Sequence, residues 1–324
     1  MSDSTLYQRP HQGLSVLRTS LLTVVGLCLS ACNTLTPTST AKPTIEAPSV
    51  ALVLGGGGAK GFAHVGVIKA LEDNGIKPTL IVGTSVGSLI GSLYASGYTP
   101  VQLEQLALTT TDSQLTDFTL SNQGFVEGIK LKNFVNEKVR GQVIEDFPIA
   151  FAAIAAEKHT RKKAVFTTGD AGLAVQASCS VPNIFIAPRI PEKVGKKYID
   201  GGVVSLVPVD SARDLGADIV IAVDVTSAQD SNAPENKRIT LSSLADFWGF
   251  LETNVVSSTN RSSSVHRERD RADIVITPNA AHVSSIDTRQ RRSLIAAGAQ
   301  ATTPQITAIK QMIQDKSKSK YATL

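Results

Sequence analysis

The sequence predicts an α/β fold in which a mainly parallel central sheet is covered by helices on both faces. Two strand–turn–helix units indicate this class. In the first unit, the apolar run Val50–Leu54 enters a glycine cluster and then a helical pattern that ends at Gly75. In the second unit, residues 79–82 enter another glycine-containing turn, and the helical pattern that follows ends at Gly97. Short apolar strands that alternate with helices are typical of a parallel sheet.

The later elements continue this alternation. Thr99 offers an N-cap, Pro100 a first-turn proline and Gln102 the partner of a capping box, so a third helix is expected here. Asp170 is a candidate cap for a helix that ends before Pro182. Further helices are expected at residues 131–139, 208–215, 241–255, 288–299 and 303–314, and strands at 149–157, 165–168, 198–199, 219–225 and 274–276. Polar composition predicts surface loops at 109–124 and 226–238 and a loose tail at 316–324.

The composition is that of one large globular domain. The chain has 324 residues, of which 42% are hydrophobic, and this is enough to bury a full core. We place this domain at residues 49–315. The net charge of +4 is small for a chain of this length, so a nucleic-acid partner is not expected. The oligomeric state is left open.

The first 48 residues predict an export signal and a tether. A short apolar run at residues 21–29 follows Arg9 and Arg18, as in a secretory signal peptide over residues 1–31. Leu29-Ser30-Ala31-Cys32 resembles a bacterial lipobox, which implies that Cys32 is lipidated and anchors the protein to a membrane. The residue after Cys32 is not aspartate, which resembles sorting to the outer membrane of the cell envelope. Residues 32–48 then form a flexible tether. An ordinary signal peptide with an incidental cysteine is the alternative, and the run is too short to favour a membrane-spanning helix.

Ser85 is the candidate nucleophile. It lies in Gly83-Thr84-Ser85-Val86-Gly87, directly between a predicted strand and a predicted helix. This G-x-S-x-G pattern is typical of a nucleophile elbow, a sharp turn that exposes one serine hydroxyl at the carboxyl edge of a sheet. The flanking glycines are needed where side chains would clash in the turn.

The glycine cluster Gly55-Gly56-Gly57-Gly58-Ala59-Lys60-Gly61 is a candidate oxyanion hole. A glycine-rich turn at the start of a helix presents backbone N–H groups and the positive end of a helix dipole. The same residues satisfy the dinucleotide-binding pattern G-x-G-x-x-G. That alternative requires an acidic residue at the end of the second strand, where this chain has Gly83 and Thr84. A phosphate-binding loop is excluded because no G-K-[ST] sequence is present.

A serine nucleophile needs a base, and Asp200 is the best candidate. The histidines of the predicted domain are His64, His159, His266 and His282, and none has a setting that favours catalysis. His64 is expected to pack or to form a hydrogen bond on the first helix. Asp200-Gly201-Gly202 follows an apolar strand, where the carboxylate can project beside the sheet. Taken alone, the tripeptide favours a simple turn, and only its combination with the two upstream motifs favours the catalytic interpretation.

The three motifs, in this order, resemble the signatures of the patatin-like phospholipase family, in particular its bacterial branch related to neuropathy target esterase. Residues 177–182 and 208–225 are similar to that family as well, whereas Ala155-Ala156-Glu157 stands where a threonine–aspartate pair is usual. The resemblance implies a three-layer α/β/α patatin-like fold. It also implies a dyad of Ser85 and Asp200 that needs no cofactor or metal.

The resemblance further implies a lipid or phospholipid substrate, cleaved through an acyl-serine intermediate. The oxyanion would be held by N–H groups of Gly56, Gly57, Gly58 and Val86, with support from Lys60, Gly61, Gly83, Gly87, Gly201 and Gly202. Lys60 either adds positive potential or is a solvated lysine at a helix start. Two other classes fit the same motifs, a thioesterase or short-chain esterase and a lipid-anchored scaffold or transport component with an idle site.

Overall fold

The computed structural model describes residues 47–121, 123–226 and 268–322, and its centre is an eight-stranded mixed sheet. Its strands are β1 (Val50–Leu54), β2 (Leu80–Thr84), β5 (Ala150–Glu157), β6 (Lys163–Phe166), β7 (Arg189–Ile190), β8 (Lys196–Asp200), β9 (Ile219–Val223) and β10 (Ile274–Ile276). A separate hairpin consists of β3 (Phe118–Ser121) and β4 (Gly124–Val126). The strand order of the sheet is β10-β9-β1-β2-β5-β8-β7, and β6 pairs with β5.

The five consecutive strands from β10 to β5 are all parallel to one another. Every residue of β1, β2 and β9 is buried, because both faces of the sheet are covered. Strands β6, β7 and β8 are antiparallel to their neighbours. The predicted mainly parallel sheet is therefore confirmed, and an antiparallel portion that the sequence did not indicate is added at one side.

Helices cover both faces, as a three-layer α/β/α fold requires. They are α1 (Phe62–Asp73), α2 (Val86–Ala95), α3 (Pro100–Thr109), α4 (Asp112–Leu115), α5 (Ile129–Lys138), α6 (Ala171–Ser178), α7 (Val209–Asp214), α8 (Arg291–Thr302) and α9 (Ile306–Ala322). Alternate residues of β1 face opposite layers. Leu52 and Leu54 belong to the core shared with α1, α2, α3, α5, α8 and α9, whereas Ala51 and Val53 belong to the core shared with α7.

Local signals account for most helix boundaries. The capping box of Thr99 and Gln102 is present, and Asp170 caps α6 by accepting from the N–H of Leu173 at 2.7 Å. Gly75 and Gly97 have positive φ angles directly after α1 and α2, a conformation in which glycine avoids the strain of a side chain. The predicted strand at residues 149–157 is confirmed as β5.

Two predictions of irregular structure were wrong. Residues 109–124 form α4 and most of the β3–β4 hairpin rather than a plain loop, and a second capping box, Thr111 with Gln114, begins α4. Residues 316–322 continue α9 rather than forming a loose tail, because no glycine or proline interrupts the chain between residues 306 and 322. The predicted elements at 227–238 and 241–255 lie outside the described residues, as do the signal peptide and most of the tether.

No helix within the described ranges is long and apolar enough to span a membrane.

Candidate active site

The pairing of β5 brings Ser85 and Asp200 together. Residues 153 and 154 of β5 pair with both β2 and β6, and residues 155 and 156 pair with both β6 and β8. Strands β2 and β8 therefore lie along the same edge of β5 and run toward each other. Thr84 ends β2 opposite Ile154, and Asp200 ends β8 opposite Ala155. The nucleophile that follows Thr84 thus meets the candidate base where the two strands end.

Ser85 has the strained backbone of a nucleophile elbow, with φ 54° and ψ −127°. A side chain on Gly83 would place its Cβ 2.5 Å from backbone atoms of Gly87 and Ser88. A side chain on Gly87 would place its Cβ 2.0 Å from the carbonyl oxygen of Leu54. Both glycines are therefore required, because α2 begins in direct contact with the ends of β1 and β2.

Two further serines fix the elbow. The N–H of Ser85 donates to Oγ of Ser178 at 2.9 Å, and that hydroxyl donates to the carbonyl of Ile154 at 2.5 Å. The N–H and the hydroxyl of Ser88 both donate to the carbonyl of Ser85, at 2.8 and 2.7 Å. The elbow is thus bonded to α6, to β5 and to its own helix. These roles were missed at the sequence level, where only the similarity of residues 177–182 to the family pointed to α6.

Asp200 is buried, with 6% of its surface exposed. Its Oδ1 accepts from the N–H of Gly202 at 2.7 Å. Burial raises the pKa of Asp200 to about 6, although the nearby Ser85 hydroxyl and the N–H of Gly202 act in the opposite direction. A Cβ on Gly201 would lie 2.3 Å from the carbonyl oxygen of Ile154. The Asp-Gly-Gly tripeptide begins a short 3-10 turn that Asp200 itself caps.

The glycine loop lies beside Ser85, but one predicted oxyanion donor is engaged elsewhere. The N–H of Gly56 donates to the carbonyl of Leu206 at 3.0 Å, so the prediction for Gly56 was wrong. Within the described residues, the N–H groups of Gly57, Gly58 and Val86 have no hydrogen-bond partner. Val86 is the first residue of α2, where the helix dipole favours negative charge. The candidate oxyanion hole is therefore formed by these three groups.

Two of the loop glycines are fixed by close contacts. Gly58 has φ +56°, and a Cβ there would lie 2.2 Å from the carbonyl oxygen of Ser285. A Cβ on Gly61 would lie 2.4 Å from the side chain of Val86. Lys60 is buried, with 9% of its surface exposed, which contradicts the reading of it as a solvated lysine.

His64 supports the loop from α1. Its Nε2 lies 2.8 Å from the carbonyl oxygen of Gly55, and the side chain is fully buried. Burial lowers the pKa of His64 to about 4, so the ring is neutral and Nε2 carries the proton that Gly55 accepts. The expectation that His64 packs and forms a hydrogen bond is confirmed. His159 and His282 are exposed, and His266 lies outside the described residues.

An apolar cavity of about 180 Å³ adjoins this loop. It reaches Gly58 and Val86 and runs between α2 and α3. At its far side, the guanidinium of Arg291 donates to the carbonyls of Ala107 and Thr110 and to Asp112, and so connects α8 to the segment that leads into α4. The apolar side chains that line the cavity are Phe62, Leu89, Ile90, Leu93, Leu103, Leu106, Leu115 and Phe134.

Among the described residues, no group of three or more histidine, cysteine, aspartate or glutamate side chains is placed to hold a metal ion.

Residues 52–213, half of the chain, match a family model described as patatin-like phospholipase. A patatin-like phospholipase domain-containing protein of Caenorhabditis elegans is 35% identical over 210 residues, 63% of this chain and 15% of that protein. Lysophospholipase NTE1 of Pyricularia oryzae is 32% identical over 253 residues, 76% of this chain and 16% of that protein. An uncharacterized NTE family protein of Mycobacterium tuberculosis is 34% identical over 190 residues, 57% of this chain and 51% of that protein.

The chain therefore spans between about a sixth and about half of the length of these relatives. Among solved structures, VipD from Legionella pneumophila superposes with a TM-score of 0.56 at 15% identity, covering 81% of this chain and 67% of that one. At this identity the match bears on the fold alone, and it agrees with the three-layer α/β arrangement.

Proposed function

The chain belongs to the patatin-like phospholipase family, and from that premise we propose that it is a lipid acyl hydrolase of the phospholipase A or lysophospholipase type. The observation that carries the proposal is that the Ser85 hydroxyl lies near the buried Asp200 carboxylate, while the next residue, Val86, lines an apolar cavity. The names of the relatives support a lipid ester as the substrate.

The proposed reaction uses a serine nucleophile and a carboxylate base. Asp200 accepts the hydroxyl proton of Ser85 as Oγ attacks the carbonyl carbon of the ester. The oxyanion that forms is held by the N–H groups of Gly57, Gly58 and Val86, each of which can lower the barrier by about 3 kcal/mol. Asp200 then returns the proton to the leaving alcohol. Water, deprotonated by Asp200, then attacks the acyl-serine. Asp200 returns that proton to Oγ of Ser85 as the bond to the acyl carbon breaks and the fatty acid is released.

Neighbouring groups do not compete for these roles. The neutral ring of His64 is directed to the carbonyl of Gly55, not to Ser85. Burial raises the pKa of the Cys179 thiol, which lies beside Ser88 at 3.9 Å, so this thiol stays protonated and is a poor nucleophile.

We expect hydrolysis to depend on the ionisation of Asp200. Because the base must be a carboxylate and its pKa is about 6, kcat/KM should be level above that pH and fall about tenfold per pH unit below it. Hydrolysis of a lysophospholipid, a phospholipid, an acyl thioester and a soluble butanoyl ester, measured between pH 4.5 and pH 9, tests both the function and the base.

Each outcome of that experiment separates the alternatives. Turnover of the soluble ester without release from lipid would favour a short-chain esterase, and turnover of thioesters alone would favour a thioesterase. A folded protein that hydrolyses none of them would favour the scaffold and contradict the proposal. An inflection near pH 7 that disappears when His159 or His282 is replaced would contradict Asp200 as the base.

We assign the cavity to the acyl chain, and its size predicts a length preference. Its 180 Å³ equals roughly six water volumes and accommodates part of a fatty acyl chain. Leu106→Trp should fill much of it and lower kcat/KM for hexadecanoyl esters at least about tenfold, while butanoyl ester hydrolysis stays unchanged. Leu108→Trp is the matched control, because Leu108 is half-buried on the same helix and does not line the cavity. Equal losses in the two variants would contradict the assignment.

We also propose that Cys32 carries a lipid that anchors the enzyme to the cell envelope, at the outer membrane. The support is the sequence Leu29-Ser30-Ala31-Cys32 after a short apolar run, followed by a polar tether. This arrangement would hold a lipid hydrolase next to its substrate.

A further inference from the structure

The β3–β4 hairpin exposes large apolar side chains to solvent. Phe118 is 71% exposed and Phe125 is 48% exposed, and Ile129 at the start of α5 is 45% exposed. They lie close together in the chain and are not buried in the cores of the sheet. Clustered exposed apolar side chains of this size mark interaction surfaces more often than isolated ones do.

A basic surface lies beside this hairpin, at the β5–β6 turn and the β7–β8 turn. The two turns are in contact, since the N–H of Lys158 donates to the carbonyl of Lys197 at 2.8 Å. Val194, at the tip of the second turn, is 84% exposed. The basic edge, as we call it, consists of Lys158, Arg161, Lys162, Lys163, Arg189, Lys193, Lys196 and Lys197.

The charge of the basic edge is largely uncompensated. Of the two glutamates in these turns, Glu192 pairs with Lys132 of α5 at 2.5 Å, and Glu157 lies 3.9 Å from Lys196. The like charges of Lys158 and Arg189 add to burial in lowering the pKa of Lys197. Eight cations are thus concentrated here, in a chain whose net charge is only +4.

The hairpin and the basic edge form one continuous surface. Nζ of Lys197 donates to Oε1 of Gln123, between β3 and β4, at 2.7 Å. Across the opposite side of the hairpin, the N–H groups of Phe125 and Val126 donate to the carbonyl of Ile184 at 2.7 and 2.9 Å, in the segment that leads to β7. The Lys197 contact holds the turn of the hairpin beside the cations.

We propose that the hairpin and the basic edge together dock the protein onto a phospholipid bilayer that contains anionic headgroups. Protruding aromatic side chains insert at the level of the headgroups, while lysines and arginines attract anionic lipid. Val194 projects from the tip of a turn among the cations rather than lining a groove, which favours a bilayer over an acidic protein. The purpose of such docking rests on the proposed function. The surface is connected to the acyl cavity, because α4 leads into β3 and carries Leu115, which lines that cavity.

The test is flotation of the full chain with vesicles of phosphatidylcholine alone or mixed with phosphatidylglycerol. Every protein carries Cys32→Ser, so that a lipid anchor does not contribute. We expect the unaltered surface to bind the anionic vesicles at least about tenfold more strongly than the neutral ones. A double variant, Lys162→Gln with Lys193→Gln, should lose about 25-fold on anionic vesicles, because each cation near such a membrane contributes roughly a factor of five. Phe118→Ser should lose about fivefold on both vesicles.

Matched controls lie away from this surface. Lys77→Gln with Lys310→Gln removes the same charge, and Lys77 precedes β2 at the opposite end of the strands. Val101→Ser removes an apolar side chain that is 64% exposed on α3. Undiminished vesicle binding in both test variants, or an equal loss in the controls, would overturn the proposal, as would binding to an acidic protein but not to vesicles. Hydrolysis of the soluble butanoyl ester should be the same in all variants. If no variant hydrolysed this ester, the proposed function would be contradicted, whereas the vesicle-binding result would still decide the docking proposal.

Discussion

Ser85→Ala is expected to lower kcat for ester hydrolysis by at least about 10,000-fold, the scale seen when a catalytic nucleophile is removed. The loss follows from the chemistry, since Ser85 is the hydroxyl that acts on the pKa of the Asp200 carboxylate. The change should leave the fold intact, because the N–H of residue 85 still donates to Ser178 and alanine adds no atom to the elbow. Loss of covalent labelling by a fluorophosphonate, together with loss of fatty acid release, measures the effect.

Ser96→Ala is the matched control for this prediction. Ser96 directly follows α2, at the opposite end from Ser85, and its hydroxyl donates to the carbonyl of Leu93 at 2.8 Å. That variant should be labelled and should turn over substrate like the unaltered protein. Labelling that persists in Ser85→Ala, on another serine and with fatty acid still released, would show that the nucleophile lies elsewhere.

The part of the site that the sequence could predict consists of residues constrained by local geometry. Gly83 and Gly87 must be glycine because backbone atoms lie within 2.5 Å of any added Cβ, and such constraints leave a readable motif. The fully buried strands β1 and β9 are equally readable, because burial on both faces requires uninterrupted apolar residues. The fold class and the elbow that carries Ser85 were therefore accessible before the structure.

Features that depend on contacts between residues far apart in the chain could not be predicted from local sequence patterns. The residues of β8 give no sign that it lies antiparallel to β5, yet this pairing places Asp200 beside Ser85. Before the structure, Asp200 was joined to Ser85 only by its setting after an apolar strand and by the family resemblance, neither of which gives the pairing. The engagement of the Gly56 N–H depends on Leu206, 150 positions away, and no local pattern marks a single carbonyl as its acceptor. Residues 109–124 were predicted to form a loop because they are mostly polar and show no clear alternation of apolar and polar residues.

Asp200→Asn is expected to abolish hydrolysis and, at the same time, to stabilise the protein at alkaline pH. An amide cannot accept the Ser85 proton, so kcat should fall by about 1,000-fold or more. The amide oxygen can still accept from the N–H of Gly202, and the amide nitrogen can donate to Oγ of Ser85, so the local hydrogen bonds survive. The substitution removes a buried negative charge. The groups that shift the pKa of Asp200 include no cation that would compensate this charge.

The pH dependence of this stabilisation follows from the direction of the pKa shift. The folded pKa of Asp200, about 6, is raised above the unfolded value of about 4. Below pH 4 the group is protonated in both states and costs no stability. As pH rises toward 6, the unfolded chain loses its proton first, so ionisation increasingly favours unfolding. Above pH 6 the full cost of about 3 kcal/mol is present. Asp200→Asn should therefore gain up to about 3 kcal/mol in the free energy of unfolding at pH 8, relative to its effect at pH 4.

Urea unfolding of the two proteins at pH 4 and pH 8 measures this difference. Asp214→Asn is the control, because Asp214 is exposed at the end of α7 and its replacement should change the free energy of unfolding by less than about 0.5 kcal/mol at either pH. An inactive Asp200→Asn that is less stable at pH 8 would mean that the carboxylate stabilises the fold through its contacts, and that its loss of activity reflects structure. An inactive variant that is more stable at pH 8 would show that the fold tolerates a buried charge because catalysis requires it there.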